Sequence, residues 1–220
     1  MPQRKQVILY IDGFALYKGL LQRQYPEYKW LNPVILAERL FHHYDVVGVR
    51  YFTAVLKPLP DDPQVPQRQQ AYLRALDTLS RLDIHYGKYI FSKQWLPLHP
   101  MERNEAGKVR TVRVKRPEEK GSDVSLASHL MLDAMRDRAD LYAVVTNDSD
   151  LVEPMRLLAA EARRNVALVS LSGPKYNKAF DDVPLRSIRE IRKGTLAASQ
   201  LPPRLQDASG RWIHKPPTWK

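Results

Sequence analysis

The chain contains no cysteine among its 220 residues. Disulfides, thiolate nucleophiles and cysteine-ligated zinc are therefore excluded, and a reducing compartment fits. No apolar run approaches the roughly 18 to 20 residues that a membrane-spanning helix needs. The N-terminal run, Val7 to Ile11, stops at Asp12 and is too short for a secretory signal. A cytoplasmic protein without a membrane partner is the expectation. Glycine is sparse at nine residues, and neither Gly-x-Gly-x-x-Gly nor Gly-x-x-x-x-Gly-Lys-Ser/Thr occurs. That argues against a dinucleotide oxidoreductase and a P-loop NTPase. Acidic residues are in deficit, with 24 Asp and Glu against 35 Lys and Arg, for a formal net charge of +11. Such a balance favours a polyanionic partner, nucleic acid or an anionic surface.

What is present is a regular alternation of short apolar runs and longer helical patterns. At 44% hydrophobic residues the chain can bury a sizeable core, and its length suits one domain, or one domain with an appendage. Strands are expected at Val7–Ile11, Val47–Val55, Ile84–Phe91, Leu141–Thr146 and Val166–Leu171, with a further one at Ile188–Ile191. Helices are expected from Val34 to Tyr44 behind an Asn32-Pro33 start, from Gln67 to Leu82, from Asp123 to Arg138 behind Ser122, and from Leu151 to Arg164. The alternation implies an α/β fold with a mainly parallel sheet and helices on both faces. Residues 92–120 are a polar, basic excursion in which Thr111 to Lys115 can pair as a short strand. The domain is expected to span residues 1–193. Residues 194–220, rich in proline, read as a C-terminal extended arm.

Two strands end abruptly in aspartate. The first delivers Asp12. The fourth delivers Asp148 and Asp150. In an open parallel sheet ligands bind beyond the carboxyl ends of the strands. Asp123, at the start of the helix preceding the fourth strand, lies on the apolar row of Ala127, Leu130, Met131 and Ala134, which directs it inward. Carboxylates gathered in this way repel one another unless a cation neutralises them. Hard oxygen ligands suit Mg²⁺ or Mn²⁺, whose chemistry at such sites is that of phosphate esters. Each aspartate singly also fits turn or helix-cap chemistry; the four together point to a metal site. Ser122, Asn147 and Ser149 stand beside these acids and suit either phosphate contacts or helix caps. Lys120, and Tyr17 with Lys18 just past Asp12, are candidate substrate contacts.

Three stretches together resemble the NYN-domain family, a branch of the PIN-like nucleases: Tyr10-Ile-Asp-Gly-Phe-Ala-Leu-Tyr-Lys-Gly19, Glu119-Lys-Gly-Ser-Asp-Val-Ser-Leu-Ala127 and Val144-Val-Thr-Asn-Asp-Ser-Asp-Leu-Val-Glu-Pro154. The tail is also similar, through Ser199–Pro202, Asp207, Gly210 and Ile213 to Trp219. The resemblance implies a PIN-like three-layer sandwich and a Mg²⁺- or Mn²⁺-dependent nuclease, most often one acting on RNA rather than DNA. The family's acidic positions fall on Asp12, Asp123, Asp148 and Asp150. The family's usual asparagine, three residues after the first aspartate, is replaced here by Ala15. Two functions are thus in competition: a metal-dependent endoribonuclease, and a nucleic-acid-binding module whose chemistry is weakened.

Basic residues concentrate in the excursion, among them Arg113 and Lys115, and again near the C-terminus from Arg189 to Lys220. Trp95, Trp212 and Trp219 lie near or among them, where aromatic rings can stack on unpaired bases or simply fix the arm to the domain. The adjacent His42 and His43 read as structural or surface residues.

Overall fold

The computed structural model describes residues 4–59, 61–173 and 176–219; Lys220 of the C-terminal basic set lies outside them. A seven-stranded sheet, ordered β4-β3-β2-β1-β5-β6-β7, divides the molecule. Its strands are β1 (Gln6–Asp12), β2 (Asp45–Ala54), β3 (Leu82–Pro97), β4 (Thr111–Lys120), β5 (Leu141–Val145), β6 (Val166–Ser170) and β7 (Ser187–Glu190). All neighbours are parallel except β3 and β4.

β1, β5 and β6 have apolar interiors buried on both sides, as expected of parallel strands covered on two faces. Their alternate residues feed two separate cores. Val7, Leu9 and Ile11 face one cluster, with Leu16, Trp30, Leu36, Phe41, Tyr72 and Leu76. Ile8 and Tyr10 face the other, with Leu126, Leu130, Met155 and Phe180. The result is a three-layer α/β sandwich.

On the first face lie α1 (Gly13–Ala15), which continues as a π-helical segment through Leu21, then α2 (Pro33–Leu40) and α3 (Val65–Leu76). On the second lie α4 (Ser122–Met135) and α5 (Val152–Arg156). The start of α2 forms as its sequence dictates: the Asn32 side chain accepts from the amides of Val34 and Ile35, and Pro33 takes the first helical position. The helix ends at Leu40, not Tyr44. His42 and His43 therefore sit in a turn, exposed, with ring centroids 3.8 Å apart. α3 likewise stops at Leu76, because the chain must turn before β3 begins at Leu82. The helix expected over 151–164 is a composite of a 3₁₀ turn, α5 and a π-helical segment over Leu157–Glu161.

The excursion is more ordered than its composition suggests. The first half of β3 pairs with β2, while its second half runs on past the sheet and pairs with β4 from Lys88↔Lys120 to Pro97↔Thr111. The two form a long hairpin arm whose outgoing strand enters α4 directly. Gly121 makes that junction with φ +92°, a backbone conformation that favours glycine.

The last segment follows the domain surface. α6 (Lys193–Ala197) and the small hairpin β8 (Arg204–Gln206) with β9 (Trp212–His214) are tied down by Leu201 N–H to Trp30 O at 2.9 Å and Trp30 Nε1–H to Pro202 O at 2.8 Å. Trp219 is 6% exposed and packs 6.1 Å from Trp30 and 5.7 Å from Tyr72, centroid to centroid. Trp212 is 52% exposed beneath the Arg204 guanidinium. No helix among the described residues is long and apolar enough to cross a membrane.

Candidate metal centre

Chain order in the sheet reverses at β1. The chain builds outward through β2 and β3, then returns by way of α4 to β5 and builds outward on the other side. Such a switch point opens a crevice at the carboxyl ends of the two central strands. β1 ends there in Asp12 and β5 leads there to Asp148, while α4, starting at the same edge, brings Asp123.

Ligand oxygens of Asp12, Asp123 and Asp148 all lie within 4.8 Å of one another. Asp12 is buried and the other two are half-buried. Burial raises the Asp12 carboxyl, with the Asp148 charge adding to the rise and hydrogen bonds opposing it. Asp123 is pushed up to about 6, by partial burial first and then by the charges of Asp12 and Asp148. This is the signature of carboxylates held together without a countercharge. Oxygen donors of this number and hardness fit Mg²⁺ or Mn²⁺.

Capping and clustering are compatible here. Asp12 Oδ1 accepts from Ala15 N–H at 2.9 Å, and Asp148 Oδ1 accepts from Asp150 N–H at 3.0 Å. Each thus caps the short helix that follows and points toward the crevice. Gly13 follows Asp12 where no side chain fits: a Cβ there would meet Phe52 O at 2.7 Å and Tyr51 Cζ at 2.8 Å.

Thr146 is a residue that sequence reasoning missed. It is fully buried at the end of β5. Its hydroxyl accepts from Asp148 N–H at 3.0 Å and donates to Asp12 Oδ2 at 3.4 Å, so one side chain fixes two of the three acids. A buried threonine immediately after an apolar strand, two residues before an aspartate, is the signal that marks it.

The remaining predicted residues separate into groups. Asp150 is exposed on the turn after Asp148; it lies outside the 4.8 Å group, yet its charge contributes to the rise at Asp123. Ser149 is exposed beside it. Asn147 is used structurally: its side chain accepts from Leu171 N–H at 3.1 Å and donates to Ser172 Oγ, joining the β5 and β6 exits. Ser122 is buried in the first turn of α4, its amide donating to Glu119 Oε1 at 3.1 Å. Lys120 is exposed and pairs with Glu118 at 3.5 Å. Lys18 is exposed, its Nζ 5.5 Å from the Phe14 ring. Arg113 and Lys115 are exposed on the arm.

Tyr17 points elsewhere, into an aromatic slot next to the site. Gly13, Phe14, Tyr51, Tyr72 and Trp219 line this cavity of about 50 Å³, with Lys29 and Arg68 as its cations. Arg68 is paired with Asp62, and Lys29 Nζ stands 5.7 Å from the Tyr17 ring.

No protein-family model matches the chain. It is 27% identical over 218 residues to 6-hydroxy-3-succinoylpyridine 3-monooxygenase HspA of Pseudomonas putida, a similarity covering 88% of this chain and 69% of that protein. Its fold is similar to that of a Vibrio parahaemolyticus protein of unknown function, with a TM-score of 0.55 and 13% identity across 88% of this chain and 96% of the other. At that identity the likeness concerns the fold alone.

Proposed function

We propose that the protein is a metal-dependent nuclease that hydrolyses phosphodiester bonds, with RNA as its principal substrate. One observation carries this reading: carboxylates from β1, α4 and β5 meet within 4.8 Å at the sheet's switch point. The +11 charge, the basic arm leading into α4 and the NYN-like sequence stretches support it.

Asp12, Asp123 and Asp148 would hold one or two Mg²⁺ or Mn²⁺ ions. Such an ion, when bound, lowers the pKa of water and neutralises charge developing on the phosphate. Thr146 keeps the β1 and β5 ligands in register. Asp150, exposed and outside the core cluster, is the carboxylate available to take a proton from the attacking water. Lys18 and Lys120 flank the site as phosphate contacts.

Incubation with labelled single-stranded RNA and Mn²⁺ tests the proposal. Cleavage is expected, and Asp148→Asn should abolish it. Ala15→Asn should raise the rate by restoring an amide beside Asp12. Binding without cleavage by every variant would replace the nuclease with a nucleic-acid-binding module.

The aromatic slot favours a second reading, a small aromatic acid as ligand. The name of the Pseudomonas relative describes action on a single pyridine ring bearing a succinoyl group. The slot offers aromatic walls and the Lys29 ammonium, and would have to open to admit such a ring. Quenching of tryptophan fluorescence by pyridine carboxylates, lost in Tyr72→Ala, would favour it.

A further inference from the structure

The hairpin arm carries its side chains on two faces, because successive residues of a strand point to opposite sides. The register assigns each residue to a face. Tyr89, Phe91, Lys93 and Trp95 of β3 share one face with Lys115 and Arg113 of β4, since Lys93 opposes Lys115 and Trp95 opposes Arg113. Ile90, Ser92, Glu118 and Arg116 occupy the other.

On the first face aromatic contacts run from beside the candidate metal centre out to Phe91, and the face continues to Trp95. Phe14, two residues after Asp12, lies parallel to Tyr89 with centroids 6.4 Å apart. Tyr89 meets Phe91 edge-on at 5.9 Å. The Lys115 ammonium stands 4.4 Å from the Phe91 ring. Trp95 continues the face and is 66% exposed, opposite the exposed Arg113. From Tyr89 to Trp95 the face extends about 20 Å at the usual strand rise. A large apolar ring left in water on an arm far from the core is not explained by packing. Aromatic faces interleaved with cations are what successive unpaired bases and their phosphates require.

We infer that this face of the arm is a track for a single-stranded polynucleotide, which leads the strand base by base from Trp95 to the carboxylates at Asp12. The inference rests on the nuclease reading for its direction, since the track ends at the proposed cleavage site. A duplex is excluded from it, because paired bases present no free faces to the rings.

The test uses the full chain carrying Asp148→Asn, in EDTA, with fluorescein-labelled oligouridylate of about ten nucleotides, within the range of single-strand site sizes. Fluorescence anisotropy should report binding that weakens about tenfold in Trp95→Ala, the scale of one lost stacked base. Lys115→Ala should weaken binding more than Arg116→Ala. The two are sequence neighbours of equal charge on opposite faces, so attraction by net charge alone would make them equal. A labelled blunt duplex should bind more weakly than the single strand. Unchanged affinity in Trp95→Ala, equal losses in the two cation variants, or a duplex bound as tightly as the single strand would each overturn the track. The unmodified protein with Mn²⁺ separates the two ideas. Single-strand binding with the stated face dependence but no cleavage removes the nuclease and leaves the track. Cleavage of long strands unaffected by Trp95→Ala removes the track and leaves the nuclease.

Discussion

Replacing Asp123 by asparagine should stabilise the protein when metal is withheld. Two unit charges 4.8 Å apart repel by roughly 3 kcal/mol at the effective dielectric of about 20 that suits protein sites. Asp123 faces two such neighbours but is half-exposed, and solvent screening reduces the relief on neutralising it to about 1–2 kcal/mol. The opposing term is loss of an acidic residue from the first turn of α4, a favourable dipole interaction of about 0.3–1 kcal/mol. No hydrogen bond to the Asp123 side chain is lost among the described residues. Repulsion wins. For a chain of this size each kcal/mol moves Tm by about 2–4 °C, so a rise of a few degrees is expected in EDTA at pH 7.5. The sign with pH follows from the folded-state pKa of about 6, raised from 3.8. The ionised form is penalised only in the folded protein, so the penalty is complete well above pH 6 and fades as pH falls through 6 toward 4. The advantage of the variant should therefore shrink at pH 5. Saturating Mn²⁺ should reverse the order, because an ion at about a hundred times its Kd adds about 2.7 kcal/mol to a protein that binds it. Scanning calorimetry of both proteins, with EDTA and with Mn²⁺ at the two pH values, provides the measurement. A variant less stable than its parent in EDTA, or one raised by Mn²⁺ as much as the parent, would refute the reasoning.

Three further outcomes follow from the same geometry. Thr146→Val keeps the shape but leaves the Asp148 amide without its partner, a cost of about 1–3 kcal/mol; calorimetry should show it, together with weaker Mn²⁺ binding by titration. Gly13→Ala forces a carbon into 2.7 Å contact with Phe52 O, so the backbone beside Asp12 must shift; chemical denaturation should show a loss of about 1–3 kcal/mol, and Mn²⁺ affinity should fall. Trp219→Ala empties the space between Trp30 and Tyr72, and denaturant melts should reveal a loss of about 3–5 kcal/mol.

The parts of this molecule that a sequence reveals are those governed by a local pattern. β1 is an apolar run that ends in Asp12 and β5 is one that leads within three residues to Asp148, so both the strands and the carboxylates at their ends were legible. Asp123 was legible because α4 keeps an apolar row that points it inward. The full length of the hairpin was not, because polar and basic residues fill most of a strand solvated on both faces; only Thr111 to Lys115 read as a short strand, while Lys93, Gln94 and Arg116 read as loop residues. Anchoring of the arm by Trp212 and Trp219 was the favoured reading of the tail, and it holds for Trp219 but not for the exposed Trp212; what was not legible is the partner. Trp219 is held by Trp30 and Tyr72, contacts far apart in sequence that leave no local periodicity. Thr146 was hidden within a β-prone run where threonine is ordinary. Asn147 was open to either a phosphate contact or a helix cap beside Asp148; its side chain instead accepts from Leu171 N–H and donates to Ser172 Oγ.

β4 is the outermost strand of the sheet, and among the described residues no strand pairs with its outer side. Such edges invite chains to join edge to edge unless something deters them. Lys115, Arg116 and Pro117 sit in succession on this one, two repelling charges and a residue that cannot donate. Lys115, which would draw in a polyanion on the proposed track, would thus also discourage such pairing. An arm stripped of its positive charge to test the proposed track would also lose this protection, and its solubility would become the first thing to check.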